Sequence, residues 1–294
     1  MRTLAPTLIA GACGAGSWPP NTAAALRRCL ALPIDGIEVD LHLSRDGVAV
    51  VHHDYRLSPD ATRRDGRWIA APGPLIKDLT ARDLARYDVG TAREGSRVRE
   101  IDPAREHWDG APIPTLKDLL RILADAPGEP RQLYAEIKTD PQRPEVSSDP
   151  GALTETILRD LADAAWIEHS RAIAFDWRVL RLCRQWAPGL RTAHLVVPRA
   201  LEAQVRRDAH GWSPWTDGFD PLRFDGSLGR AIVAHGGEMA SLHFRDIDTR
   251  MMDDLLAAGL SVAAWGLVEP ADVLKMLDLG VASLTLEGPN WGPF

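Results

Sequence analysis

The sequence is poor in the features that define several large classes of protein. Its 294 residues include only three cysteines, Cys13, Cys29 and Cys183. They form neither a CxxC pair nor a zinc-binding spacing, which argues against a disulfide framework and against a thiolate metal site. Because free thiols persist where the environment is reducing, we expect a cytoplasmic location.

Long hydrophobic runs and an excess of positive charge are also absent. No run approaches the roughly 20 apolar residues that a membrane span requires, so we expect no stable membrane insertion. Residues 8–13 have the outline of a lipoprotein cleavage site, but the apolar stretch before them is short and broken by Pro6, which favours a first strand. The net charge is -7 and the pI about 5.7, which argues against a nucleic-acid partner.

The glycines that follow the first apolar run lack the spacing of a dinucleotide-binding turn. Gly11, Gly14 and Gly16 do not form G-x-G-x-x-G, which disfavours a doubly wound open sheet. Instead, strand-like runs alternate with amphipathic helical patterns along the whole chain, which is typical of a (β/α)8 TIM barrel of the α/β class. We predict one such domain over residues 1–294.

Nine strand-like runs compete for eight places in that barrel, so one of them lies off the barrel or is misread. The runs cover residues 7–12, 36–41, 48–53, 132–137, 172–175, 192–197, 239–244, 261–267 and 282–286. Helical patterns cover residues 22–32, 115–126, 153–165, 177–186, 249–258 and 270–279. Thr80 with Asp83 and Thr115 with Asp118 have the spacing of capping boxes at helix starts.

Two stretches interrupt the alternation. Residues 54–112 are long, polar and loop-rich, and a connection of that length is usually functional or disordered. Trp68 and Trp108 favour a small ordered insertion there. Residues 212–224 are dense in Trp, Pro and Asp; they could form an aromatic pocket wall, but we favour an irregular packed loop.

Paired acids on one predicted strand are the first candidates for chemistry. Glu38 and Asp40 are two apart in residues 36–41 (GIEVDL), so both carboxylates face one side of the strand. Their apolar neighbours face the other side, where barrel helices would pack. Two carboxylates this close repel unless a cation or a proton lies between them. A solvated polar face is the alternative, but it fits a buried barrel strand poorly.

Two further segments carry titratable groups at strand ends, where barrel enzymes keep their chemistry. His52 and His53 end an apolar run, and because adjacent strand residues face opposite sides, we expect only one of them to point into the site. Glu136 and Lys138 share one face of another strand; they could be a simple ion pair. Together, three carboxylates without a thiolate suit a hard cation, Mg²⁺ or Ca²⁺.

These segments, in their order and spacing, resemble the glycerophosphodiester phosphodiesterase family over nearly the whole chain. Further matching segments are residues 44–47 (SRDG), 113–116 (IPTL), 175–176 (FD), 264–265 (AW) and 280–289 (GVASLTLEGP). The resemblance implies a metal-dependent phosphodiesterase acting on a small-molecule phosphodiester, with residues 54–112 as an insertion over the barrel mouth.

The resemblance also implies roles for individual residues. Glu38, Asp40 and Glu136 would hold the divalent cation, which would neutralise phosphate oxygens. Lys138 would hold the phosphate and His53 would be one of two acid-base histidines. Trp265 would line the alcohol side of the pocket, although a buried core tryptophan is an equally good interpretation.

The first strand departs from the family pattern. The family has His-Arg-Gly at this strand end and then Pro-Glu-Asn-Thr, whereas this chain has Gly11, Ala12 and Cys13, and later Pro20 in place of the glutamate. Neither Gly11 nor Ala12 can transfer a proton or hold an anion. Losing one partner of acid-base catalysis typically costs ~100- to 10,000-fold in rate.

Three explanations fit this departure. The enzyme could be weak or altered, with His243 near a later strand end as a substitute; the protein could bind a phosphodiester or sugar phosphate without turnover; or a compensated frameshift could have altered the recorded sequence between residues 11 and 20. Outside the family, inward carboxylates could serve a glycosidase. A glycosidase needs two carboxyls free of metal, whereas Glu38 and Asp40 on adjacent inward positions, together with Lys138, fit a metal-phosphate site better.

Overall fold

The computed structural model describes residues 5–129, 131–197 and 212–288, and in this part of the chain twelve strands are present. In chain order, β1 to β12 are Thr7–Ala10, Gly36–Leu43, Ala49–Val51, Arg63–Arg64, Arg67–Trp68, Tyr87–Asp88, Gln132–Ile137, Ser170–Ala174, Arg191–Val196, Met239–His243, Ser261–Leu267 and Ser283–Leu286. Eight of them, β1, β2 and β7 to β12, pair in parallel, and pairing of β1 with β2 closes the barrel. The predicted (β/α)8 barrel is confirmed.

The ninth predicted run is the one that lies off the barrel. It shortens to β3, which pairs antiparallel with β2, so that Leu41 lies opposite Val51. An antiparallel strand can follow its partner through a tight turn, and here residues 44–47 make that turn, with the Gly47 N–H donating to the Ser44 carbonyl. The strand extends the sheet beside the barrel and leads directly into the insertion.

Nine helices lie in the described ranges. In chain order, α1 to α9 are Ala23–Cys29, Ala81–Leu84, Arg97–Ile101, Leu116–Ala124, Pro150–Asp163, Trp177–Trp186, Leu228–Ala234, Thr249–Ala257 and Pro270–Asp278. The predicted capping box at the start of α4 is complete, with Thr115 and Asp118 each accepting from the other's backbone N–H. Sequence patterns missed α7, which is short; its Gly229 allows close approach to α8, since a Cβ there would lie 2.7 Å from the Asp254 carbonyl oxygen.

Alternate side chains of the barrel strands pack into two separate cores. Apolar residues such as Ile37 and Val39 face outward and join the large core between strands and helices. A smaller core inside the barrel includes Ile9, Ile173 and Leu195. Because every parallel strand is covered on both faces, charged inward side chains are enclosed and not solvated.

The insertion is ordered, as its tryptophans led us to expect. It contains a small antiparallel sheet in the order β5-β4-β6 and an apolar core of its own that includes Leu57, Ile76 and Leu84. Residues 212–224 form two 3₁₀ turns, Pro214–Thr216 and Pro221–Phe224. Pro289, which ends the last matching segment, lies outside the described residues. Among the helices described, none combines the length and the apolar character needed to cross a membrane.

Candidate active site

The predicted acidic cluster forms where β2 and β7 run side by side. Parallel pairing places Asp40 directly beside Glu136 and Glu38 beside Tyr134. Glu38, Asp40 and Glu136 are buried, and each offers a carboxylate oxygen within 4.8 Å of the other two. Strand alternation on β2 and the register with β7 therefore bring together the three acids that the sequence predicted as a group.

Lys138 lies between two of these carboxylates. Its Nζ is 2.8 Å from Asp40 Oδ1 and 2.8 Å from Glu136 Oε1, and its side chain is only 9% exposed. Asn21 completes the environment of Asp40, because its Nδ2 donates to Asp40 Oδ2 at 2.7 Å and its Oδ1 accepts from the Asp40 N–H at 3.2 Å. Lys138 thus holds two of the three acids, and Asn21 fixes Asp40 further.

The pKa values of these groups move in opposite directions. Burial raises the pKa of Glu38 well above its usual range, and the charges of Asp40 and Glu136 raise it further. Burial also acts on Asp40, but Lys138 outweighs it and holds the pKa of Asp40 below its ordinary value. Burial raises the pKa of Glu136, with Lys138 opposing in part. Lys138 remains protonated, because its two acidic partners raise its pKa against the effect of burial.

The cluster fits a divalent cation. Three carboxylates and one ammonium leave a formal charge of about two negative units in a buried site, which favours a positive ion nearby. Glu38 Oε1 is buried and has no hydrogen-bond partner, so it is free to coordinate a cation. Carboxylate oxygens are the ligands that Mg²⁺ and Ca²⁺ prefer. Among the described residues, this is the group of acids suited to a metal.

His53 borders the same cavity and is oriented by its neighbours. Its Nδ1 lies 2.7 Å from Asp54 Oδ1, and its carbonyl oxygen lies 3.2 Å from Nε2 of buried His42. Lys138 lowers the pKa of His53, but Asp40 and Asp54 outweigh this effect and the pKa is raised. With Nδ1 turned to Asp54, Nε2 is the atom left to exchange a proton.

The expectation that only one of the paired histidines points into the site stays a prediction. His52 and His53 both border the cavity. β3 ends at Val51, and the His52 N–H continues the contact with β2 by donating to the Asp40 carbonyl at 3.0 Å.

The end of β1 reaches the site through its backbone. Gly11–Cys13 form a 3₁₀ turn, in which Ala12 (φ 45°) and Cys13 (φ 59°) are left-handed. The Ala12 N–H donates to Glu38 Oε2 at 2.7 Å, and Trp18 Nε1 donates to the Cys13 carbonyl at 2.5 Å. A Cβ on Gly11 would lie 3.1 Å from Thr285 Cγ2, so this position is closely packed.

Aromatic side chains also line the cavity. Trp265 contacts Phe175 edge-on, with ring centroids 5.9 Å apart, and its Nε1 is buried without a hydrogen-bond partner. It lies at a register shift between β11 and β12, beside Gly266 at φ 79°, an irregularity that can re-aim a side chain. His243 packs edge-on against the Trp265 ring, with centroids 4.8 Å apart, and is not among the side chains that line the cavity.

Two cavities meet at this cluster. The first has a volume of about 380 Å³ and extends from the acids to Trp265 and to the insertion. The second, of about 900 Å³, shares His53, Glu136 and Lys138 with the first and continues to Trp215. The segment 212–224 is therefore partly a pocket wall, in addition to the packed loop that we favoured. Such volumes are typical of small-molecule sites.

Several cavity residues were not anticipated. Asn21 was detectable, because it stands where the chain resumes the family pattern after residue 20. Arg105 and His107 come from the insertion, and Glu287 follows β12. Nothing in the local sequence marks Arg105 or His107 as site residues, since only the packing of the insertion brings them to the cavity.

Comparison with known proteins agrees with this geometry. The profile of the glycerophosphoryl diester phosphodiesterase family matches residues 13–290. The glycerophosphodiester phosphodiesterase of Caldanaerobacter subterraneus subsp. tengcongensis is 23% identical over 92% of this chain and 90% of its own length. The fold and the acidic centre thus define a phosphodiesterase-type barrel. The chain belongs to the glycerophosphoryl diester phosphodiesterase family, whose characterised relatives are phosphoric diester hydrolases.

Solved structures share the fold. A protein of Silicibacter pomeroyi DSS-3, assigned as a glycerophosphoryl diester phosphodiesterase, superposes with a TM-score of 0.85 at 24% identity, covering 99% of this chain and 93% of that one. An Oleispira antarctica phosphodiesterase in complex with the product sn-glycerol-3-phosphate has a TM-score of 0.67 at 19% identity, covering 96% and 93%.

Proposed function

We propose that this protein is a metal-dependent phosphodiesterase that hydrolyses glycerophosphodiesters to an alcohol and glycerol phosphate. The observation that carries the proposal is the buried cluster of Glu38, Asp40 and Glu136 with Lys138 between two of them, inside a barrel of the family. In this proposal the three carboxylates hold Mg²⁺ or Ca²⁺, which supplies Lewis-acid stabilisation of phosphate charge.

The chain's own side chains account for the remaining tasks. Lys138 presents an ammonium to a phosphate oxygen. His53 exchanges a proton at Nε2 with the reacting oxygen, while Asp54 fixes the ring and His42 fixes the backbone behind it. Trp265 contacts the alcohol side, where its unpartnered N–H can donate to a substrate hydroxyl.

The nature of the product is supported by likeness to a relative. The Oleispira antarctica phosphodiesterase, which shares the fold, was solved with sn-glycerol-3-phosphate as its product. The two adjoining cavities offer room on either side of Lys138 for the two halves of a diester. The glycosidase alternative loses support, because Lys138 already pairs with two of the three acids.

The test is release of alcohol from glycerophosphocholine, with Mg²⁺ or Ca²⁺ and with chelator, beside a Glu38→Gln variant. We expect turnover that chelation abolishes and that Glu38→Gln reduces at least ~100-fold, since Glu38 is a proposed ligand. Turnover that survives chelation contradicts the metal role. No turnover by folded, metal-binding protein favours a ligand-binding protein without activity, and resequencing codons 11–20 then tests for a local error.

We also propose a domain organisation and a location for the protein. We infer that residues 1–294 act as one domain, which limited proteolysis followed by mass spectrometry would check. We also infer a cytoplasmic location, supported by Cys13, Cys29 and Cys183, which are all buried free thiols. Cell fractionation tests that location, and recovery in an extracellular or membrane fraction contradicts it.

A further inference from the structure

The insertion packs against the loop in which the family pattern is lost. The Glu106 N–H donates to the Ser17 carbonyl at 3.0 Å, and the Glu106 carboxylate lies 3.7 Å from Arg28. The Arg28 guanidinium in turn lies over the ring of Trp108, 5.7 Å from its centroid. These contacts bring the segment that carries Arg105 to the mouth of the cavity beside residues 11–20.

Arg105 borders the same cavity as Ala12. Its side chain is only 14% exposed, and it forms an ion pair with Asp102 through one terminal nitrogen. Its Nε is buried and has no hydrogen-bond partner. A guanidinium offers five N–H donors in a planar fork, and burying one of them without an acceptor is unfavourable.

A phosphodiester oxygen is the acceptor that suits this donor. Arginine recognises phosphate through paired N–H groups, and the contact strengthens where water is excluded. Among the lysines and arginines of the described chain, Lys138 is the other one that lines this cavity, and it is already shared between Asp40 and Glu136. Arg105 therefore has the donors to hold an anion that Lys138 alone holds incompletely.

We infer that Arg105, supplied by the insertion, binds the phosphate of the substrate in place of the arginine that the first strand lacks at position 12. The inference rests on the proposed function for its ligand, a phosphodiester. It concerns binding of the anion, so it can be measured without turnover.

The experiment compares wild type with Arg105→Gln, using sn-glycerol 3-phosphate and inorganic phosphate as probes in calorimetry with Mg²⁺ present. We expect Kd for both anions to rise about 10- to 100-fold, which is the usual range for a charged hydrogen bond. KM should rise more than kcat falls. Arg97→Gln is the matched control, because Arg97 is an exposed arginine of the same insertion that does not line the cavity, and it should leave Kd unchanged.

Two further variants separate anion binding from a structural role. Asp102→Asn removes the ion-pair partner but keeps the guanidinium, so it should retain or tighten phosphate binding, even if Arg105→Gln fails to fold. Ala12→Arg in the Arg105→Gln background should recover part of the lost affinity. Weaker binding in Asp102→Asn, together with a lowered Tm in both variants, would assign Arg105 to structure and overturn the inference.

The outcomes for activity and for binding are distinguishable. If wild type does not hydrolyse glycerophosphocholine but Arg105→Gln weakens phosphate binding, the inference stands and the proposed function fails. If wild type is active and Arg105→Gln has the same Kd and KM, the proposed function stands and the inference fails. Wild type that binds neither anion also overturns the inference.

Discussion

The wall of the cavity formed by β2 and β7 differs in chemistry from the wall formed by the end of β1 and the loop after it. The first carries three carboxylates and an ammonium, whereas the second contributes mainly small or apolar residues, Gly11, Ala12, Ala15, Pro19 and Pro20. The two walls meet at Glu38, a residue of the first wall whose carboxylate accepts the Ala12 N–H of the second.

The two walls are held in shape by different interactions. On the β2–β7 side, geometry depends on which side chains are present, because Lys138 pairs with both Asp40 and Glu136. On the β1 side, backbone groups take part in each of these contacts: the Asn21 N–H donates to the Ala12 carbonyl at 2.8 Å, and the Cys13 carbonyl accepts from Trp18. A wall that is held by its backbone can lose a histidine and an arginine without losing its form, whereas the charged wall cannot lose a member freely.

The largest effect that we expect comes from the remaining histidine. His53→Gln should lower kcat by ~100- to 10,000-fold, because it removes the one acid-base histidine of the family pattern that this chain keeps. His243→Gln is the matched control; it should change kcat little, since His243 does not line the cavity. Steady-state kinetics on glycerophosphocholine checks both. A larger loss in His243→Gln would make His243 the substitute proton donor and reverse this assignment.

Replacing Lys138 tests whether the charged wall tolerates the loss of one of its side chains. Lys138→Met should lower the free energy of unfolding by about 3–5 kcal/mol in chelator, because it leaves buried carboxylates without their partner. Lys117→Met is the control. Lys117 pairs with Asp160 at 3.3 Å but is 49% exposed, so we expect a loss of at most about 1 kcal/mol. Urea unfolding measures both; equal losses would show that burial is not the cause.

The converse test restores the family's histidine and arginine to the β1 wall. Gly11→His should raise kcat about 10- to 100-fold by restoring a second acid-base group. The added Cβ would lie 3.1 Å from Thr285 Cγ2, so Thr285→Ser is combined with it to make room. Ala12→Arg alone should add less, if Arg105 already binds the phosphate. No gain from a folded Gly11→His/Thr285→Ser protein, shown by an unchanged Tm, would mean that another group already donates the proton.

The smallest effect concerns the backbone of the same turn. Ala12→Gly should stabilise the protein by about 0.5–1 kcal/mol, because Ala12 has φ 45°, a conformation that glycine adopts without strain. Ala15→Gly is the control of opposite sign, since Ala15 lacks a positive φ and the change only adds freedom to the unfolded chain. Thermal unfolding compares the two, and destabilisation by Ala12→Gly would show that the turn carries no such strain.

Much of this protein follows from its sequence. The alternation of apolar runs and helical patterns predicts the barrel, and the two-residue period of a strand predicts that Glu38 and Asp40 share a face. The same period places Glu136 and Lys138 together. These predictions succeed because they depend on local geometry, which each strand carries in its own residues.

Only the tertiary structure decided the rest. The antiparallel pairing of β3 with β2 set the ninth run outside the barrel and brought His52 and His53 to the border of the cavity. The docking of the insertion brought Arg105 to the site across a long stretch of chain. Such contacts depend on packing between distant segments, and the residues next to Arg105 in the sequence carry no pattern that predicts them.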